Sequence, residues 1–388
     1  PHSPMQVPDE FWEGQANKSL TTQHINRFKE DTIHTKAALA MVENIDWNIG
    51  RLLDSLDHLN LRENTIIIYL SDNGPNGNRW NADMKGTKGT VDEGGVRSPF
   101  IISWPSQIPA GRSIKSISSA MDILPTLVDL ADLNHEPLKP IDGVSLARIA
   151  LGKEDSVDPD RHIINHWGDR TSVRTQEWRL GHEGQLFNML EDPSQTTDVG
   201  GDNPEVLAEL MGLAQNFKNE VLIELPETDE RPVPVGDPEF TFTQLPARDA
   251  QATGEIKRSN RWPNCSFYTN WVSEKDSIFW DVEVLKTGRY RAITHYTVAE
   301  ENVGCTLKLS SDKSSSTEVQ ITELYDPPEY GMENDRVERI ESYVKDFKTL
   351  DLGVIELRQG STKLALSIDS STGAGGPDIR LLMLHRLD

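Results

Sequence analysis

The chain has 388 residues, 62 acidic against 39 basic, a net charge of −23 and an apolar content of 36%. That length favours two or three domains. The acidity disfavours nucleic acid and anionic membrane as partners, and no apolar run approaches the ~20 residues that cross a bilayer. Cys265 and Cys305 belong to no metal-type cluster, and their spacing leaves both a disulfide and two buried free thiols open.

The chain opens on Pro1-His2-Ser3-Pro4, which is neither an initiator methionine nor a signal peptide. Within residues 30–60, Val42, Ile45, Ile49, Leu52, Leu53 and Leu56 recur at helical spacing, with Glu43, Asp46 and Arg51 elsewhere on the surface, so an amphipathic helix is expected. Thr65 to Leu70 is a continuous apolar, β-branched run, which predicts a strand buried on both faces as in a parallel sheet. It stops at the polar turn Ser71-Asp72-Asn73-Gly74-Pro75. A second apolar run, Pro99 to Trp104, follows a loop; Asp122 and Pro125 then open a helix through Leu124, Leu127, Val128 and Leu130. Strand, loop, strand and helix on this scale predict an α/β layer.

Farther along, His162 to His166 is strand-like, and the pair Ser172–Thr175 and Trp178–Leu180 predicts a hairpin. Asn203-Pro204 starts a helix that carries Val206, Leu207, Leu210, Leu213, Phe217 and Val221 on one face. Pro226, Pro232, Pro234, Pro238 and Pro246 mark residues 224–248 as a linker. From residue 249 the pattern alternates, as in Ile278-Trp280-Val282-Val284 and Leu364-Leu366-Ile368, which predicts a β-sandwich or jelly roll. Trp262, Tyr268, Trp271 and Trp280 fit either its core or a sugar-stacking surface.

Three places offer chemistry. Asp72 and Asn73 stand just beyond the carboxyl end of a strand, where open α/β sheets bind ligands. A carboxylate beside an amide suits Ca²⁺ or Mg²⁺ rather than zinc, while a plain turn is the alternative. Lys85 to Thr90 and Glu93 to Arg97 combine glycines with cations, which suits a sulfate or phosphate group or a solvated loop. Neither a Walker motif nor a dinucleotide fingerprint occurs. His2 can donate a proton or contact an anion, or stand by.

Read in order, PHSP, SDNGP, KGTVDEGGVRSPF, MDILPTLVDLADL, DGVSL and SVRTQEWRL with LEDPSQ resemble the sulfatase family, over residues 1 to about 225. The resemblance implies an α/β fold: the C-terminal portion of an alkaline-phosphatase-like sulfatase domain at 1–150 and its small subdomain of hairpin plus helix at 151–223. The Pro-rich linker at 224–248 and a carbohydrate-associated β-sandwich at 249–388 would complete the chain. It also implies a formylglycine nucleophile, made from Cys or Ser in C/S-x-P-S-R, and a Ca²⁺ ion, with Mg²⁺ less favoured. Asp72 and Asn73 match the family's late pair of calcium ligands. Lys88 matches its sulfate-contacting lysine, and Lys85 falls outside the matched position. His2 matches the histidine that contacts sulfate and passes a proton to the leaving alkoxide. His166 and Trp167 fall where the family's C-terminal hairpin approaches substrate.

One departure is large. Neither cysteine lies in the nucleophile motif and the early Asp-Asp ligands are missing, so both are expected upstream of residue 1, in the protein's own N-terminal half. The chain alone is then expected to be inactive. The implied substrate is a sulfated carbohydrate and the implied location secreted or periplasmic. Two other readings stand beside this one. A di-zinc phosphatase or phosphodiesterase of the same superfold would place Asp-His where Asp72-Asn73 stands. A non-catalytic carbohydrate-binding protein would use the sandwich alone.

Overall fold

The computed structural model describes residues 1–24, 29–134, 137–226, 228–312, 315–369 and 375–388. It divides into two compact units, Pro8–Glu227 and Pro1–Val7 with Thr228–Asp388.

The first unit is mixed α/β. Its elements are α1 (Asp9–Ala16), α2 (Thr32–His58), β1 (Ile67–Leu70), α3 (Glu93–Val96), β2 (Phe100–Ser103), α4 (Ile123–Leu130), α5 (Ala147–Ala150), β3 (Ile163–Trp167), β4 (Arg170–Arg174), β5 (Trp178–Leu180), β6 (Leu186–Asn188) and α6 (Pro204–Glu220). Asp31 caps α2 by accepting from the His34 amide at 3.0 Å. Along α2 Ile45, Ile49, Leu53 and Leu56 are half-buried, whereas Val42, Trp47 and Leu52 stay exposed.

The expectation of a parallel strand buried on both faces is not met. β1 and β2 form a two-stranded antiparallel sheet with Ile67 opposite Ser103 and Leu70 opposite Phe100. Ile67, Ile68 and Tyr69 are only half-buried, and Leu70, Phe100 and Ile101 are exposed. The physical reason is that no third strand joins this pair among the described residues. The hairpin expectation holds: Val173 pairs with Leu180 inside a four-stranded antiparallel sheet ordered β3-β4-β5-β6. Leu210 and Ala214 of α6 pack on Val173, Leu180 and Leu186 to give this sheet its core.

The α4 region is pinned electrostatically. Both Asp122 oxygens accept from Arg161, at 2.6 and 2.7 Å, and also from the amides of Ser119 and Val144 at 2.8 and 2.9 Å. Asp122 is fully buried, a placement that only such complete satisfaction makes tolerable.

The second unit holds β7 (Val233–Val235), β8 (Phe242–Pro246), β9 (Gln251–Ala252), β10 (Lys257–Arg258), β11 (Tyr268–Thr269), β12 (Ser277–Val284), β13 (Gly288–Thr297), β14 (Thr306–Ser311), β15 (Ser316–Gln320), β16 (Lys348–Leu357), β17 (Gly360–Asp369) and β18 (Asp378–Arg386). One sheet runs β10-β11-β18-β13-β16, with β8 on β18; the other runs β15-β14-β17-β12-β7, with β9 on β12. Inward residues of both sheets share one core that includes Trp280, Leu366, Leu309, Tyr290, Ile355 and Leu384. This is the β-sandwich that the alternation predicts.

Two expectations need correction here, and one open alternative is decided. Residues 233–235 and 242–246 lie in the stretch read as a linker, yet they are strands whose Val235 and Leu245 are fully buried. Pro234 is tolerated because β7 is a sheet edge, where a missing amide donor costs little. Residues 1–7 pack in this unit: Met5 and Val7 are buried, Gln6 donates to Gly331 and Asp335, and Arg336 donates to the Met5 and Val7 carbonyls. Cys265 and Cys305 are both free thiols, so the disulfide alternative falls. Of the four aromatics, Tyr268, Trp271 and Trp280 are core and only Trp262 is exposed.

Candidate active-site half

The site is built at the end of β1. Ser71 is held by its amide donating to the Pro99 carbonyl at 3.3 Å and by Ser98 Oγ donating to its own carbonyl at 2.6 Å. Asp72 and Asn73 project from the chain just past this point. Asp72 is exposed, and its carboxylate forms no hydrogen bond or ion pair among the described residues. Asn73 donates through Nδ2 to the Gly74 carbonyl at 2.8 Å, which leaves its amide oxygen as an acceptor. Two hard oxygen donors therefore belong to consecutive residues. That chemistry fits a calcium-type ion but fills only part of the six to eight positions it takes. Among the described residues no group of three or more His, Cys, Asp or Glu converges as a full metal cage.

The lysine loop is stitched to this turn through α3. The Lys88 amide donates to the Pro75 carbonyl at 2.9 Å, the Gly74 amide to Gly95 at 2.9 Å, and the Gly94 amide to Lys85 at 2.7 Å. Glycine is required because the backbones nearly touch. A Cβ on Gly74 would lie 1.8 Å from the Gly94 carbonyl oxygen, and one on Gly94 2.6 Å from that of Gly86. The two lysines differ. Lys85 pairs with Asp92 at 3.6 Å and lies over the Phe187 ring, whereas Lys88 is exposed, lines the cavity and makes no ion pair among the described residues.

Behind the loop, around the buried Glu93, lies a charge cluster that sequence reasoning missed. Glu93 pairs with Arg179 at 2.7 Å and with Arg174 and Arg97 at 3.3 Å each. Burial pushes the Glu93 carboxyl up, yet Arg179, Arg174 and Arg97 outweigh it and hold the group below its ordinary range. Gln195 accepts from the Glu93 amide at 2.9 Å and donates to Asp92 at 3.2 Å. Ser172 and Arg179 both donate to the Val91 carbonyl, at 2.7 and 2.8 Å. The one signal for this cluster was the presence of EGGVR, SVRT and WRL in the ordered motif set; nothing local says they meet.

Asp72, Asn73, Lys88, His166 and Trp167 all line one cavity of about 1890 Å³ in the first unit. His166 Nδ1 is 2.9 Å from Thr171 Oγ1, and Trp167 at the end of β3 is exposed. The indole nitrogen of Trp167 is 3.9 Å from where a Cβ on Gly89 would stand, so this ring borders the lysine loop. The cavity is lined by Lys88, Arg97, Arg174 and Arg179 and by the carboxylates Asp72 and Glu93, with all three arginines paired to Glu93. His2, the sixth residue expected at the site, belongs to the second unit; its Nδ1 lies 2.8 Å from the Ser3 carbonyl oxygen. No described helix is long and apolar enough to cross a membrane.

The geometry brings Asp72, Asn73 and Lys88 to one cavity. Residues 1–133 match the family model described as Sulfatase. Over 163 residues the chain is 37% identical to the N-acetylgalactosamine-6-sulfatase of Canis lupus familiaris, covering 40% of this chain and 31% of that protein. It is 26% identical over 239 residues to the N-acetylgalactosamine-6-O-sulfatase of Bacteroides thetaiotaomicron, covering 50% of this chain and 45% of that one. A solved structure described as "Crystal structure of Ps i-CgsB" shares 27% identity over 56% of this chain and 48% of its own, with a TM-score of 0.48. The chain thus spans less than half the length of these relatives. Residues 1–133 resemble the sulfatase family.

Proposed function

We propose that this chain carries one half of the active site of a sulfuric ester hydrolase that removes sulfate from a sulfated carbohydrate. The observation that carries the proposal is the convergence of Asp72, Asn73 and Lys88 on a single cavity, bordered by His166 and Trp167. When bound, calcium would polarise the sulfate oxygens, and a formylglycine outside this chain would supply the attacking oxygen. Asp72 and Asn73 offer their oxygens to the ion. Lys88, free of any competing carboxylate among the described residues, neutralises charge that grows on the sulfate oxygens. His2 is the candidate for passing a proton to the leaving alkoxide by its place in the ordered motif set alone. His166 and Trp167 border the sugar side of the cavity, where an exposed indole face suits stacking. Asn73 in place of a histidine favours one oxygen-bound ion over a pair of zincs.

The remaining ligands and the nucleophile are assigned to an N-terminal half of the same protein. The exposed apolar residues Leu70, Phe100 and Ile101 on the β1–β2 pair support this, as does the exposed face of α2. A secreted or periplasmic location and a carbohydrate substrate follow the same reading, which the sulfated-sugar names of the relatives support. The test is turnover. Residues 1–388 alone should release no sulfate from sulfated oligosaccharides, and the chain joined to an upstream segment with an intact C-x-P-S-R motif should. Robust turnover by residues 1–388 alone would overturn the half-site assignment.

A further inference from the structure

We propose that Glu93 is a positioning residue: through its buried arginine contacts it fixes both the Lys88 loop and the Asp72-Asn73 turn in the geometry that binds an oxyanion. The inference rests on the sulfatase reading of Lys88. Glu93 begins α3, the single helical turn whose glycines bind both functional segments. Gly95 accepts from the Gly74 amide next to Asn73, and Gly94 donates to Lys85 in the lysine loop, at 2.9 and 2.7 Å. Whatever places α3 therefore places both functional segments.

What places α3 is charge. Glu93 is 5% exposed and meets three guanidinium groups, two of them on the rigid β4–β5 hairpin. Arg179 is fully buried and also bonds the Val91 carbonyl and Ser172 Oγ, so the hairpin grips residues on both sides of Asp92. Gln195 adds a second tether by accepting from the Glu93 amide. In this arrangement Glu93 consumes three cations that would otherwise draw the anion away from Lys88, and it transmits the rigidity of the hairpin to the loop. Displacing a binding group by about 1 Å is enough to cost up to ~100-fold in rate or affinity.

The experiment compares wild-type residues 1–388 with Glu93→Gln, Glu93→Asp and Gln195→Ala. Hydrogen exchange read by mass spectrometry follows peptides over 71–76 and 84–97, with α2 and β12 as internal controls. Sodium sulfate titrated at constant ionic strength reports the affinity through sulfate protection of Lys88 from acetylation. Glu93→Gln should speed exchange about tenfold in the two site peptides, leave α2 and β12 unchanged, and weaken sulfate binding about tenfold. The charge-keeping Glu93→Asp should restore part of both. If Glu93→Gln fails to fold, Gln195→Ala carries the same expectation, because it loosens α3 without uncovering the arginines. Sulfate affinity within twofold of wild type in a folded variant, or faster exchange in the control peptides as well, overturns the positioning role. Sulfate protection of Lys88 in the wild type that persists undiminished in Glu93→Gln would uphold the reading of Lys88 and reject that of Glu93. No sulfate protection in the wild type would reject the reading of Lys88 itself, and with it the positioning role.

Discussion

Gly74 offers the sharpest physical test of how the site is held. Within the DNGP turn its role is not a left-handed turn. A Cβ there would lie 1.8 Å from the Gly94 carbonyl oxygen, 2.8 Å from the Gly94 carbonyl carbon and 3.2 Å from Gly95 Cα. All three are backbone atoms, which cannot swing aside. An ordinary carbon–oxygen contact needs roughly 3.3 Å, so Gly74→Ala must separate the turn from α3 by about 1.5 Å. That movement breaks the 2.9 Å bond from the Gly74 amide to Gly95. The lost hydrogen bond costs about 1 kcal/mol and the overpacking about 1–3 kcal/mol, so the local penalty is ~2–4 kcal/mol. Gly77 is the control. It has a φ of +88° and nothing within 4 Å of an added Cβ, so Gly77→Ala costs only ~1–2 kcal/mol of left-handed strain. Hydrogen exchange over residues 84–97 reads the difference. Gly74→Ala should accelerate exchange there by roughly 30-fold or more, since each 1.4 kcal/mol is tenfold, and Gly77→Ala should leave it near wild type. Equal exchange in the two variants would refute the close-packing argument.

Three further outcomes follow from buried charge and burial. Asp122→Ala strands Arg161 in the interior and should destabilise the first unit by ~3–5 kcal/mol, seen as a lowered calorimetric Tm; a shift within a degree would contradict the account. Glu93 is held below its ordinary value of 4.5, so folding favours its ionised form and its stabilisation is complete above that value. The urea-midpoint advantage of wild type over Glu93→Gln should therefore hold from neutral pH down to about 5 and shrink as pH falls through the lower folded value. An advantage that grows on acidification would contradict this sign. Burial pushes the Cys305 thiol up to about 11, so iodoacetamide at pH 8 should alkylate the partly exposed Cys265 and spare Cys305; equal labelling by peptide mass would contradict it.

How far the sequence could be read depended on the range of the interactions. α2, α6 and the β4–β5 hairpin were legible because their signals are local: the helical recurrence of Ile45, Ile49, Leu53 and Leu56, an Asn203-Pro204 start and a short turn between Thr175 and Trp178. The alternation in β12 and β17 exposed the sandwich, since buried Trp280 and Leu364 sit opposite each other at period two. β7 and β8 were hidden because proline usually speaks against strands, and only the sheet edge under Pro234 makes it harmless. The solvent exposure of β1 was illegible in its apolar composition, because burial depends on whether further strands flank it. Asp72, Asn73 and Lys88 were assigned through motif order, and all three line one cavity. Glu93 was passed over because its partners Arg174 and Arg179 lie more than 80 residues away. No periodicity announces a contact of that span.

The central claim is that Asp72 and Lys88 are working members of a sulfate-ester site completed from outside this chain. Sulfate release from a panel of sulfated oligosaccharides, by the chain joined to its upstream half in the presence of calcium, tests it most directly. The account predicts release that falls at least ~100-fold in Lys88→Ala and in Asp72→Ala, while Lys85→Ala stays near wild type. Undiminished release in the first two variants, or full release by residues 1–388 without the upstream half, would contradict it.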